Sequence, residues 1–285
     1  MEWIERLNSV IDYIEENLTE EIDYDEISKI ALCSSYHFQR IFAYMADIPL
    51  SEYIRRRKLS RAAVDLQDEN NKVIDVSLKY GYDSPTAFNR AFQRIHGIAP
   101  SEVRGRGHSL KAYPPISFKI SIKGDSAMEY RIEKKEAFRI VGVSAPLEKE
   151  IEKNFEVVPA MWGQATQNGT IGKLATIMDG EPKGLLGVSA CYEEADWKYM
   201  IAVASNQPAE NELDEFMVPE STWAIFSGRG TNLAIQELER RIVTEWLPTS
   251  GYEYGTAPDI EVYISPNPED AIFEVWIPVV KKTMR

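Results

Sequence analysis

The fold of the N-terminal part is decided by the stretch SPTAFNRAF at residues 84–92, which has a counterpart, SSYHFQRIF, 50 residues earlier at residues 34–42. Ser, Phe, Arg and Phe recur in both stretches at the same spacing. Serine is favoured just before a helix, where its hydroxyl accepts a hydrogen bond from a backbone N–H of the first turn. Each stretch is therefore predicted to begin a helix at its serine, and the repeat predicts two units of one kind.

Each unit is predicted to consist of a short helix, a tight turn and a second helix with a polar outer face. That face carries Tyr36, Gln39, Arg40, Thr86, Asn89 and Arg90. Arg pairs with guanine edges and Gln or Asn with adenine edges, as on the second helix of a helix-turn-helix. A lone unit is more simply explained as an αα-hairpin with a solvated face. Two matching copies favour a chain that reads two successive major grooves of double-stranded DNA.

The distribution of charge supports this partner, although the whole chain has a net charge of −13. Residues 27–111 contain 14 Lys and Arg against 8 Asp and Glu, whereas residues 112–285 contain 17 against 27. A cationic block therefore lies between two anionic ones, and the net charge of the chain hides it.

Length and composition restrict the class of protein. The 285 residues, 44 % apolar and 27 % charged, are typical of two globular domains. No run approaches the ~18 apolar residues of a membrane span, and the N-terminus lacks the layout of a signal peptide. Cys33 and Cys191 are predicted to be reduced thiols, so a cytoplasmic location away from membranes is expected. His37, His96 and His108 lack ligand spacing, so neither a metal nor a cofactor is expected.

The chain changes character at residues 107–127, where glycines and prolines interrupt the helical pattern. Residues 1–106 are predicted to form an all-α domain with two helix-turn-helix units, residues 107–127 a linker, and residues 128–285 an α+β domain of two strand-helix-strand-strand halves. The predicted strands are residues 138–143, 185–191, 199–204, 223–227, 261–264 and 272–279, and the predicted helices of this domain are residues 155–167 and 232–247.

One acidic residue interrupts the apolar strand at residues 272–279. Alternation places Glu274 and Trp276 on the same face of that strand. The Glu274 carboxylate is either solvated or buried in a pocket, where it needs a positive partner, and no Lys or Arg lies between residues 242 and 280. A cationic aromatic ligand would supply the charge and add cation–π contacts. The aromatic residues expected to line such a pocket are Trp162, Tyr192 and Trp276.

The N-terminal residues resemble the DNA-binding domain of the AraC/XylS family of bacterial transcription regulators. The resemblance covers about residues 5–106 and is carried by residues 57–62, 76–92 and 97–100. It implies that the six polar residues of the two outer faces contact DNA. Leu32 departs from the pattern, because many relatives have Gly in this turn, and Ala87 offers a base no hydrogen-bonding group.

Residues 128–285 resemble the GyrI-like effector-binding domain, on the stretches WAIF at residues 223–226, EVYI at 261–264 and FEVWIPV at 273–279. The resemblance implies that Glu274 contacts a ligand. We therefore expect a DNA-binding transcription regulator that binds a small amphipathic, cationic effector, with RNA polymerase as a further partner. Catalysis is not expected, because the chain has no nucleophile elbow, metal cluster or phosphate loop. The alternatives are a hydrolase in which Glu274 acts as a general base and a protein that sequesters a toxic compound.

Overall fold

The computed structural model describes residues 3–104, 108–119, 127–149, 151–191, 197–210, 212–265, 267 and 269–282. The chain forms two compact units. The first consists of Met1–Ala31 and Ile48–Lys119, and the second of Leu32–Asp47 and Ile120–Arg285. The segment Leu32–Asp47, which the predicted domain boundaries assign to the N-terminal domain, is thus part of the second unit.

The N-terminal part is helical, as predicted. Its helices are α1 (Trp3–Glu16), α2 (Tyr24–Ala31), α3 (Ser35–Ala46), α4 (Leu50–Asp65), α5 (Val73–Lys79) and α6 (Pro85–His96), followed by a 3₁₀ turn at Pro100–Glu102. Of these, α3 belongs to the second unit. None of the described helices is long and apolar enough to cross a membrane.

The two repeated serines cap their helices as predicted. The Ser34 hydroxyl accepts from the backbone N–H of His37 at 3.3 Å, and the Ser84 hydroxyl accepts from that of Ala87 at 3.4 Å. Gly97 ends α6 with φ of +79°, a left-handed conformation that glycine adopts without steric cost.

An antiparallel sheet forms the body of the second unit. Its strands are β1 (Tyr130–Lys135), β2 (Phe138–Pro146), β3 (Leu185–Ala190), β4 (Lys198–Ala204), β5 (Asp214–Val218), β6 (Ser221–Gly230), β7 (Tyr252–Tyr254), β8 (Asp259–Ser265) and β9 (Ala271–Lys281). Among the described strands the order is β1-β6-β9-β8-β3-β4-β2-β5, and β7 pairs with β9 outside this path. The remaining elements are α7 (Ile151–Gln167), α8 (Thr170–Ile177), α9 (Asn232–Arg241), a π-helix at Ile242–Trp246 and α10 (Leu247–Thr249).

The sheet contains the two predicted halves. One half runs β2, α7, α8, β3, β4, the other runs β6, α9, β8, β9, and β3 pairs with β8 where they meet. This confirms the predicted fold class. The strands β1, β5 and β7 and the helix α8 were not predicted from the sequence. Of these strands, β1 and β5 lie at the ends of the sheet order, where charged, half-solvated sequences lack a clear apolar alternation, and β7 is only three residues long.

Alternate residues of the central strands pack on opposite faces of the sheet. Leu186 and Val188 of β3 join one apolar cluster with Trp223 and Trp276. Leu185, one position along, joins a second cluster that includes Tyr36 of α3 and residues of α7 and α8. The period of two along a strand explains this division, and it places α3 among the helices over one face of the sheet.

Candidate functional site

A cavity of about 840 Å³ opens on the face of the sheet that carries the helices. Its walls come from α3, α7 and α9, and its floor from β3, β4 and β8. The volume lies in the range of roughly 300–1,000 Å³ that small-molecule sites occupy. All of the lining residues belong to the second unit.

Aromatic side chains with hydrogen-bonded polar tips form one part of the wall. The Trp162 indole Nε1–H donates to the Tyr199 hydroxyl at 2.9 Å, and the Trp162 ring meets Tyr263 edge-on with centroids 5.1 Å apart. The Tyr263 hydroxyl donates to Glu261 Oε2 at 2.7 Å. A Cβ at Gly187 would lie 2.3 Å from the Tyr199 hydroxyl oxygen, so glycine in β3 makes room for this arrangement. These contacts fix the rings around a largely apolar space.

Charged and polar side chains from three elements form a cluster, the Arg40 cluster, which consists of Arg40, Tyr44, Glu239 and Asp259. The first three of these residues line the cavity. Arg40 Nη2 lies 2.6 Å from Glu239 Oε1, and Arg40 Nη1 lies 3.2 Å from Asp259 Oδ2. The Tyr44 hydroxyl donates to Glu239 Oε2 at 2.5 Å. Charge-assisted hydrogen bonds of this kind are the strong ones.

A further carboxylate, Glu261, faces the Arg40 cluster. The charge of Glu239 acts on the buried carboxyl group of Glu261. Burial, and next the charge of Glu239, raise the pKa of Glu261 to about 7. Among the described lining residues Arg40 is the only Lys or Arg, whereas Glu239 and Glu261 are both acidic. The cavity therefore has an excess of carboxylates in apolar surroundings.

The structure buries the polar face of α3. Tyr36 and Gln39 are 7 % and 0 % exposed, and the Arg40 side chain is 16 % exposed. Tyr36 packs edge-on against Trp197 with centroids 5.4 Å apart, and its hydroxyl lies 3.4 Å from Ser189 Oγ. Gln39 Nε2 donates to the backbone carbonyl of Lys149 at 2.8 Å. All three residues expected to face DNA from this helix are thus engaged by the second unit.

The polar face of α6, in contrast, is exposed to solvent. Thr86, Asn89 and Arg90 are exposed, and so are Gln93 and Arg94 one turn further along. Phe88 and Phe92 on the other face are fully buried. The two repeated stretches therefore share their caps and their helical conformation but differ in what covers their outer faces.

Of the described residues expected to line a ligand pocket, Trp162 lies in the cavity wall, whereas Glu274 and Trp276 do not. Glu274 accepts from Arg131 Nη1 and Nη2 at 2.8 and 3.0 Å and from the Trp276 indole at 2.8 Å. Arg131 of β1 is thus the positive partner that no residue near Glu274 in sequence supplies. Trp276 is buried on the opposite side of the sheet from the cavity, and Tyr192 lies outside the described residues.

The sequence held an overlooked signal for Glu261. An acid followed two positions later by an aromatic residue occurs at Glu261 and Tyr263 of β8 as well as at Glu274 and Trp276 of β9. In both pairs the aromatic polar tip donates to the acid. The expected ligand site included only the second pair, whereas the first pair faces the cavity. No pattern in the sequence pointed to Glu239, because an acid on an amphipathic helix normally lies on the solvated face.

Comparison with known proteins assigns both parts of the chain. A GyrI-like small molecule binding domain matches residues 128–280, and a helix-turn-helix domain matches residues 27–106. The HTH-type transcriptional activator AarP of Providencia stuartii is 40 % identical over 98 residues, which cover 34 % of this chain and 73 % of AarP. The regulatory protein SoxS of Salmonella typhimurium is 32 % identical over 100 residues, which cover 35 % of this chain and 94 % of SoxS.

Among solved structures, a Staphylococcus aureus MU50 protein is 23 % identical with a TM-score of 0.49, and the match covers 55 % of this chain and 100 % of that one. The helix-turn-helix match and the GyrI-like match together span the exposed face of α6, the buried face of α3 and the cavity. The chain therefore belongs to the AraC family of DNA-binding transcription regulators, in the form that carries a GyrI-like small-molecule binding domain.

Proposed function

We propose that the chain regulates transcription in response to an aromatic cation that binds in the cavity of the second unit. The observation that carries this proposal is the excess of carboxylates within an aromatic wall. Glu239, Glu261 and Asp259 surround the single guanidinium of Arg40. Buried carboxylates are costly unless they are protonated or paired with a positive charge. A cation of suitable size would pair with Glu261 and release its proton.

The rings of the wall add selectivity for the same ligand class. Trp162, Tyr199 and Tyr263 present aromatic surface beside Glu261. A cation over such a ring is attracted by about 0.5–2 kcal/mol, and more strongly when it is desolvated. Apolar groups of the ligand would pack against α7. A permanently charged, apolar molecule satisfies both requirements.

For DNA we propose that Thr86, Asn89 and Arg90 of α6 contact one major groove, and that Tyr36, Gln39 and Arg40 of α3 contact the next. The exposure of the α6 face supports the first part. Arg and Asn are the side chains that pair bidentately with guanine and adenine edges. In the same proposal the protein acts in the cytoplasm, where its DNA target lies, and RNA polymerase is its protein partner at the promoter.

We also propose that the chain has no catalytic activity. The hydrolase alternative relied on Glu274 as a general base, but the Glu274 carboxylate is held by Arg131 and Trp276 and lies outside the cavity wall. Recovery of the bound molecule unchanged, judged by mass spectrometry, is the expected result. A hydrolysed product would contradict this proposal.

Isothermal calorimetry with a matched pair of ligands tests the ligand class. Methyltriphenylphosphonium carries a positive charge, and triphenylphosphine oxide has nearly the same shape without it. We expect the cation to bind at least tenfold more tightly, and Glu261→Gln and Trp162→Ala to weaken it by at least tenfold. Glu220→Gln, which alters an exposed carboxylate paired with Lys134, should not affect binding. Equal affinity for the two ligands would refute the proposed ligand class.

A further inference from the structure

The helix α3, which we propose contacts DNA, also forms part of the cavity wall. Tyr36, Arg40, Ala43 and Tyr44 of α3 line it, and α3 packs on α7, α9 and the π-helix. The same face of α3 carries the side chains expected to read DNA. Under the proposed function, one surface of one helix would thus serve two ligands, DNA and the effector, which differ in size and charge.

We propose that α3 is a shared component of the operator site and the effector site, so that operator and effector compete for it. This inference rests on the proposed function and specifies how the cavity regulates DNA binding. The structure shows the state in which α3 belongs to the effector site. In that state α6 alone presents its polar face to solvent.

The partners of Arg40 make the competition direct. An arginine that binds phosphate or guanine in DNA presents the same fork of donors that Glu239 and Asp259 occupy here. The two carboxylates thus take the place of the DNA acceptors. His37 Nε2, 3.0 Å from Asp259 Oδ2, and Gln39, bound to the Lys149 carbonyl, hold the same turn of α3. Arg40 and Gln39 must leave these partners before they reach a base pair.

The effector favours this engaged state because α3 supplies part of its binding site. Without α3 the cavity would lose the walls formed by Tyr36 and Tyr44, and Glu239 would lose its guanidinium partner. A ligand that binds one of two states more tightly shifts the population toward that state. Effector binding should therefore weaken operator binding, and by linkage the operator should weaken effector binding by the same factor.

The first experiment releases α3 without changing its DNA-facing residues. The double variant Glu239→Gln with Asp259→Asn removes both acidic partners of Arg40, and Glu220→Gln with Asp270→Asn is a charge-matched control at exposed positions. Operator affinity is measured by fluorescence anisotropy on a duplex that the full-length protein selects from a random library. We expect at least tenfold tighter binding by the first variant and no change in the control. Unchanged affinity in a correctly folded double variant, as judged by circular dichroism, would overturn the inference.

The second experiment needs only the unaltered chain. Saturating methyltriphenylphosphonium, a non-planar cation that does not intercalate, should weaken operator binding at least fivefold, and saturating operator should weaken cation binding by an equal factor.

If calorimetry shows cation binding but operator affinity stays the same, competition is refuted while the proposed function stands. If the cation does not bind, the proposed ligand class fails and the double variant decides the inference. If the double variant does not fold, the cation experiment decides it.

Discussion

At the scale of single residues, Leu32 shows how a departure from the family pattern becomes a local strain. Its φ is 55°, in the left-handed region, and its side chain is 61 % exposed. The corresponding turn after α5 has Gly81, with φ of 80°. The left-handed conformation costs a residue with a Cβ about 1–2 kcal/mol, whereas glycine adopts it freely.

We predict that Leu32→Gly raises the free energy of unfolding by about 0.5–1 kcal/mol, because the relief of strain exceeds the extra entropy of glycine in the unfolded chain. Urea denaturation measures the change. Leu78→Gly is the matched control, since Leu78 is similarly exposed but lies within α5, where glycine should lower stability by about 1 kcal/mol. A loss of stability in both variants would contradict the assignment of strain to Leu32.

Glu261 gives a prediction for pH. Burial and the charge of Glu239 raise its pKa from 4.5 to about 7, and Arg40, Tyr199 and Tyr263 also face it. The folded state therefore holds a proton that the unfolded state loses, so this contribution to stability is complete below pH 4.5 and is lost as the pH rises to about 7. Glu261→Gln should remove this component, which is measured as the difference between the two proteins in urea denaturation at pH 5 and pH 8. If the free energy of unfolding of both proteins changes equally between pH 5 and pH 8, the proposed contribution of Glu261 is wrong.

At the scale of elements, the repeated helices α3 and α6 differ in the exposure of their polar faces although their sequences repeat. We predict that Arg90→Ala weakens operator binding by about 1–3 kcal/mol, because Arg90 is exposed on α6 and free to pair with a base. Arg40→Ala should weaken operator binding less than Arg90→Ala does, because the loss of Arg40 also removes the contacts that hold α3 in the second unit. Lys173→Ala, at an exposed position on α8, serves as the control in anisotropy measurements. An equal loss for both arginines would indicate that α3 is not held.

The sequence predicted those elements whose signals are local. The N-caps, the apolar period of α6 and the alternation of β9 all depend on residues within one turn or one strand. The position of α3 depends instead on contacts between residues about 110 and 220 apart, from Gln39 to Lys149 and from Arg40 to Asp259. The partner of Glu274 is likewise supplied by β1, across the intervening β6. The periodicity of a sequence does not show which distant residues contact each other. For this reason the aromatic wall residue Trp162 could be predicted, whereas the charged residues of the cavity could not.

At the scale of the whole molecule, the separation of charge predicts a strong dependence of operator binding on salt. We expect the cationic block at residues 27–111 to neutralise DNA phosphates and so displace counterions from the DNA. The logarithm of the operator-binding constant should therefore fall linearly with the logarithm of the salt concentration. The double variant Glu239→Gln with Asp259→Asn should steepen the slope by about 1, because Arg40 becomes available to DNA. Anisotropy titrations between 50 and 200 mM KCl, roughly the range in which such effects are large, measure both slopes. An operator affinity that does not change with salt concentration would contradict DNA binding through α3 and α6.

The unequal exposure of α3 and α6 has a consequence for how the protein searches a genome. If α3 is withdrawn and α6 is available, as we propose, we expect the chain to bind any duplex weakly and with little discrimination between sequences. Such weak binding would allow the protein to slide along DNA and to dissociate quickly from incorrect sequences. In this proposal, tight binding to a promoter requires a second event, the return of α3 to DNA, whose timing would be set by the effector content of the cell rather than by the base sequence.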